Sequence, residues 1–345
     1  MQAISRKKQF YCINPTLRHY LVVNRREVRL PVTYVDLNRF TNTLPLIDRS
    51  GRDTLWETAY YDPVAQREIH SGLTQIYALL KTDGDMSSVR HLYIERIDYC
   101  VFGNTKPFRI RVVNQFNDNA DHFYVKRADA SRIYGLELED LLSPNRITYL
   151  VSNDTLVEEH ITGIPGDRFL EEFDKRPRLN RVRLAKEFIK FNERCFVRLL
   201  GDMRSYNYVL AVTPDFEDEQ YRVRSIDFDQ QSYEGRKNIY LPQFFKDNLP
   251  IVQLCMSLLN LETMRQYQQE ERTLMARRLA SSRSELEQLI GCMRMDPLST
   301  PEKIAQLRSE LGDYHHSDAF QELEAMGDIL WHHIHECLVR PSATG

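Results

Sequence analysis

Two short stretches constrain this chain more than any other. Gly201–Leu210 (GDMRSYNYVL) sets Asp202 and Asn207 five residues apart in a polar turn that runs into Tyr208, Val209 and Leu210. Ser225–Gln230 (SIDFDQ) then sets Asp227 and Asp229 on what reads as a short apolar strand. A reaction that moves a phosphoryl group needs one carboxylate to orient the attacking hydroxyl. It also needs two oxygen ligands for the Mg²⁺ that neutralises a triphosphate. Asp202 fits the first role, and Asn207 with Asp227 fits the second. Either stretch alone would say little, because Asp and Asn are common in turns. Their order, their separation and the segments upstream give the pattern its weight.

Upstream, His122–Lys126 (HFYVK) alternates as a half-buried strand ending at Lys126. Ala130–Leu142 (ASRIYGLELEDLL) reads as a helix stopped by Ser143-Pro144. Ile147–Val151 and Leu156–Ile161 read as a hairpin joined through Ser152-Asn153-Asp154. Two further strands are expected near Val89–Ile97 and Phe108–Asn114. Between them lies Tyr99–Lys106, whose one glycine is Gly103.

The two downstream stretches resemble the catalytic loop and metal-binding segment of the protein-kinase-like superfamily. In style they are closest to its aminoglycoside phosphotransferase and choline kinase branch, with motifs H-G-D-x-x-x-x-N-x-L and I-D-[FW]-[DE]. This chain has Leu200 where that family has His, then Gly201-Asp202, Asn207-Tyr208-Val209-Leu210 and Ile226-Asp227-Phe228-Asp229. The resemblance implies ATP and Mg²⁺ as cofactors and an α+β, bilobal protein-kinase-like fold. It implies Asp202 as the catalytic carboxylate. Arg204 would assist the transferred phosphate from the place where protein kinases carry a Lys, as a fixed guanidinium fork. Asn207, Asp227 and Asp229 would be metal ligands. Lys126 would hold the nucleotide phosphates, positioned by Glu137 or Glu139, with Glu137 preferred for its relation to Leu141-Leu142. The string VEEHITGIPG resembles the hinge of small-molecule kinases, which implies main-chain contacts to adenine around Glu159 and Ile161.

Length and composition agree. A 345-residue chain accommodates two lobes and an extension. The 46 basic and 49 acidic residues leave a net charge of −3, so no basic field for nucleic acid exists. The basic run Lys175–Arg183 is expected as a solvated helix entry, and the acidic group Asp215, Glu217, Asp218 and Glu219 as a solvated turn. Six scattered cysteines without a C-x-x-C pair suit reduced thiols in a cytoplasmic protein. No apolar run reaches the 18 or so residues that span a bilayer, and the N-terminus lacks a secretory signal. His332, His333 and His335 are too close in sequence to share one helix face, so a surface role is expected for them.

The expected organisation is an extension of unknown role over residues 1–85, a small lobe over 86–161 and a helical large lobe over 162–345. The expected function is transfer of the γ-phosphoryl group of ATP to a hydroxyl of an unidentified acceptor, small molecule ahead of protein. Two other outcomes stay open. One is a catalytically silent kinase-fold protein that binds nucleotide or acts as a scaffold; the other is AMP transfer by a kinase-like fold.

Overall fold

The computed structural model describes residues 8–48, 51–101, 105–176, 179–215 and 218–339. The chain divides into two compact units, Met1–Asp129 with Ile147–His160, and Ala130–Arg146 with Ile161–Gly345. The first is sheet-based and the second is mainly helical, giving an α+β protein.

In the first unit, helix α1 (Pro15–Val23) begins at Asn14, whose side chain accepts the Leu17 N–H, with Pro15 in the first turn. A Thr33–Asp36 capping box starts α2 (Tyr34–Leu37). The sheet comprises β1 (Asn42–Ile47), β2 (Asp53–Tyr60), β3 (Leu92–Cys100), β4 (Phe108–Asn114), β5 (Ala120–Arg127), β6 (Tyr149–Ser152) and β7 (Thr155–Glu159). Its seven described strands run antiparallel in the order β1-β2-β3-β4-β5-β7-β6. Helix α3 (Pro63–Lys81), capped by Asp62, lays Ile69, Leu73 and Ile76 on Ile110, Phe123, Val125 and Val157.

Several sequence expectations change here. Tyr20–Val23 reads as strand but lies in α1, because the Asn14 cap and Pro15 outweigh the β preference of two valines. Val28–Tyr34 likewise reads as strand but forms none, and Glu27 just before it makes an isolated bridge to Val151. Residues before 86, expected as an extension, supply β1, β2 and the helix α3 that covers the sheet's apolar face. Of Tyr99–Lys106, the segment that would cover the phosphates in a kinase-like small lobe, Phe102, Gly103 and Asn104 lie outside the described residues.

The second unit opens with α4 (Ala130–Leu142), which was expected in the small lobe but packs on helices of this unit. A three-stranded sheet, in the order β10-β9-β8, combines β8 (Ile164–Pro165), β9 (Tyr208–Asp215) and β10 (Asp218–Ser225). The helices are α5 (Gly166–Glu172), α6 (Arg181–Arg198), α7 (Leu249–Leu258), α8 (Leu261–Ser281), α9 (Arg283–Arg294), α10 (Pro301–His315) and α11 (Met326–Leu338). Helix α6 buries Leu184, Phe188, Phe191 and Cys195 and ends on Leu199 in the left-handed conformation, φ 51°. Among the described residues no helix is long and apolar enough to cross a membrane.

Candidate phosphate and metal site

The segment after α6 is held in an unusual backbone. Leu199 and Asp202 both have positive φ, 51° and 56°. For a residue with a Cβ this costs roughly 1–2 kcal/mol each. Backbone hydrogen bonds hold them there: Ser232 N–H donates to the Leu199 carbonyl, and Asp202 N–H to that of Ile239. Behind the loop, Gly166 lies so close to Ser205 and Tyr208 that a Cβ would come within 2.4 Å of the Ser205 carbonyl oxygen.

Asn207 stitches the two motif segments together. Its side-chain amide donates to the Asp202 carbonyl at 2.7 Å, and its own carbonyl accepts the Ile226 N–H at 3.0 Å. Asp202 and the Asp227 segment are thereby neighbours, as the spacing implied. The strand assignment for Asp227 and Asp229 does not hold. β10 stops at Ser225, because Ile226 N–H turns to Asn207 and the Asp227 carboxylate accepts the Asp229 N–H at 3.1 Å.

Asp202 does not stand alone. Arg204 Nε donates to its Oδ1 at 3.0 Å, and Arg204 also reaches Asp247 at 3.3 Å. Burial pushes the Asp202 carboxyl above its ordinary range against the pull of Arg204, with Asp227 and Glu234 adding to the rise. The folded-state carboxyl therefore keeps its proton more readily than the unfolded one. Its charge costs stability at neutral pH, and the cost shrinks as pH falls through the raised value and is gone below the ordinary carboxylate range. Asp202→Asn removes that charge and suits left-handed backbone. The Arg204 pair it breaks is half exposed and worth at most about 1 kcal/mol. The variant should melt no lower than wild type at pH 7, any advantage shrinking towards pH 4. A clear fall in melting temperature at pH 7 would refute this reading of the site's charge.

The sequence reading did not foresee Arg132. From the first turn of α4, Arg132 Nη1 donates to Asp227 Oδ1 and to Asp229 Oδ1, each at 2.8 Å, while Nη2 reaches the Ile226 carbonyl at 3.2 Å. Its side chain is only 2% exposed. Ser131 beside it donates to the Gln231 carbonyl at 2.8 Å. The helix comes this close because residue 135 is glycine: a Cβ there would meet Phe228 Cβ at 2.9 Å. Nothing local in the sequence marks this pairing, which joins residues 95 apart.

These carboxylates were expected to hold Mg²⁺, and the fit can be judged from the donor set. A guanidinium already bridges one oxygen of each, in the place a shared cation would take. Asp227 and Asp229, arranged so, do not fit a metal ion while Arg132 remains between them.

Two other expected residues have internal partners. Lys126 Nζ donates to Glu158 at 2.7 Å, within the first unit. On that face of the sheet, Tyr124 stands opposite Glu158, and Asp98 is fully buried between Arg96 and Arg109. Charged groups thus occupy the face that carries Lys126. Glu139, the alternative to Glu137, is engaged within the second unit by buried Arg198. Glu137 is itself buried in α4, 140° around the helix from Arg132 at 100° per residue.

Of the hinge residues, Glu159 ends β7, its N–H bonded to the Thr148 carbonyl and its carboxylate to Lys81 at 3.1 Å. Ile161 is buried. Arg183 of the basic run lies 3.6 Å from Asp215, while Pro177, Arg178 and Glu217 fall outside the described residues.

No family model matches the chain, and no curated protein matches it. Among solved structures, the chain is similar to a Neurospora crassa PAN3 pseudokinase mutant at 10% identity, over 96% of this chain and 66% of that one, with a TM-score of 0.20. The chain spans just under two thirds of that protein, and at such a score the likeness assigns no role to any residue here.

Proposed function

We propose that this is a kinase-like protein in which metal-dependent phosphoryl transfer is silenced, and that it acts as a binding or scaffolding module. The observation that carries the reading is the Arg132 bridge across Asp227 and Asp229. In the same unit Asp202 is paired with Arg204, and within the first unit Lys126 is paired with Glu158. Three carboxylates against two guanidinium groups leave the loop pair net negative, which opposes a triphosphate that arrives without a metal.

A second reading, a phosphotransferase that uses ATP and Mg²⁺, is favoured by the intact bond from Asn207 to the Asp202 carbonyl. In that reading Asn207 and Asp227 would hold Mg²⁺ once Arg132 had left. Asp202 would orient the hydroxyl of a small acceptor. Arg204 would offset charge on the phosphoryl group in transit.

ATP labelled separately at the α- and γ-positions separates these readings. The purified chain with Mg²⁺ should transfer neither label, to water or to a panel of small alcohols, sugars and aminoglycosides. Release or transfer of γ-label that is lost in Asp202→Asn would establish the second reading. Transfer of α-label would establish AMP transfer.

A further inference from the structure

We propose that His315, His333 and Cys337 form a buried binding site for a single thiophilic metal ion, with monovalent copper preferred. The site is independent of the kinase-like reading.

His333 and Cys337 are four residues apart on α11 and therefore share a face. His315, the last residue of α10, brings its Nε2 to 2.8 Å from His333 Nδ1. The Cys337 sulfur is 3.9 Å from the same nitrogen. One donor atom from each of the three lies within 4.8 Å of the others. The adjacent trio His332, His333 and His335 is not the cluster: His332 faces Glu336, and His335 faces the Trp331 carbonyl.

The surroundings prepare His333 as a ligand. Its Nε2 lies 3.0 Å from the Phe196 carbonyl. Assigning the proton to Nε2 on that contact leaves the Nδ1 lone pair directed at His315 Nε2, while the Cys337 sulfur lies beside the ring, 3.8 Å from Nε2 and 3.9 Å from Nδ1. A histidine that ligates metal through one nitrogen commonly donates its other N–H to a carbonyl in this way.

Size and charge select the ion. Bonds of about 2.0 Å to nitrogen and about 2.3 Å to sulfur place the donors roughly 3.3–3.7 Å apart. The His315–His333 separation of 2.8 Å must widen, and the Cys337 sulfur, 3.9 Å from Nδ1 in a trio that spans up to 4.8 Å, must swing in by more than an ångström to close on the ion. Two imidazoles and a thiol are soft ligands, unsuited to Mg²⁺ or Ca²⁺. The thiol loses its proton to solvent as the metal–sulfur bond forms. The resulting thiolate balances a monovalent ion in full, whereas Zn²⁺ would bring an uncompensated charge into the core. Nearby Arg272 and Glu193 are paired with each other at 2.5 Å and add no net charge.

The test uses the full chain, freed of metal, titrated with Cu⁺ against a coloured copper chelator and separately with Zn²⁺ and Co²⁺. One equivalent of Cu⁺ should bind, the melting temperature should rise, and His315→Gln and Cys337→Ser should each weaken binding more than tenfold. His315 is only partly buried, so its variant keeps the test valid if the Cys337 variant misfolds. Absence of one-to-one binding, or binding equal in both variants but lost in Cys12→Ser at the exposed thiol, overturns the site. Tighter binding of Zn²⁺ with the same residue dependence overturns the copper preference.

Discussion

Arg132→Met should cost the protein about 3–5 kcal/mol, towards the lower end because Asp227 is partly exposed. The arginine is almost fully buried and serves two carboxylates at once. Removing it leaves both charges beside each other with no cation between them, the costly way to break a buried ion pair. Divalent cations should then act on the variant alone. Mg²⁺ at ten times its dissociation constant would return about 1.4 kcal/mol, because it binds the folded state and not the unfolded one. Urea unfolding of both proteins with and without Mg²⁺ reads the effect. Equal stability of the two proteins, or equal stabilisation of both by Mg²⁺, would remove Arg132 from its role.

Glu139→Ala should be comparably damaging, at about 3–5 kcal/mol. Glu139 and Arg198 are 2% and 1% exposed, and Arg198 holds α6 just before the left-handed turn into the Asp202 loop. Its Nε also donates to the Arg194 carbonyl at 2.9 Å, so the guanidinium cannot swing out to water without breaking that bond. Loss of the carboxylate leaves a buried, uncompensated cation. Denaturant unfolding, with the midpoint falling and the slope unchanged, checks the prediction. A midpoint within error of wild type would show that Arg198 finds another partner.

Local signals were legible in the sequence, and long-range pairings were not. Ala130–Leu142 is helical with the limits the apolar spacing and Ser143-Pro144 implied. Phe108–Asn114 is a strand with its expected bounds. The five-residue step from Asp202 to Asn207 matters because one side chain closes the loop on the other's carbonyl. β10 was missed although Tyr221, Val223 and Ser225 are buried at alternate positions. That period-two signal was present but masked by the charged residues between them. The Arg132 bridge left no such trace. Arginine near a helix start has no local preference that names its partner, and the closeness depends on Gly135 meeting Phe228 from a distant segment. The same holds for His315 and His333, which sit on different helices and meet only once those helices pack.

The most direct measurement of the silenced-site account is a Mn²⁺ titration followed by electron paramagnetic resonance, on wild type, Arg132→Met and Asp227→Asn. Wild type should leave the aqueous Mn²⁺ signal undiminished into the millimolar range and match Asp227→Asn, while Arg132→Met removes one equivalent. One equivalent bound by wild type and lost in Asp227→Asn would contradict the account and return Asp227 to the role of metal ligand.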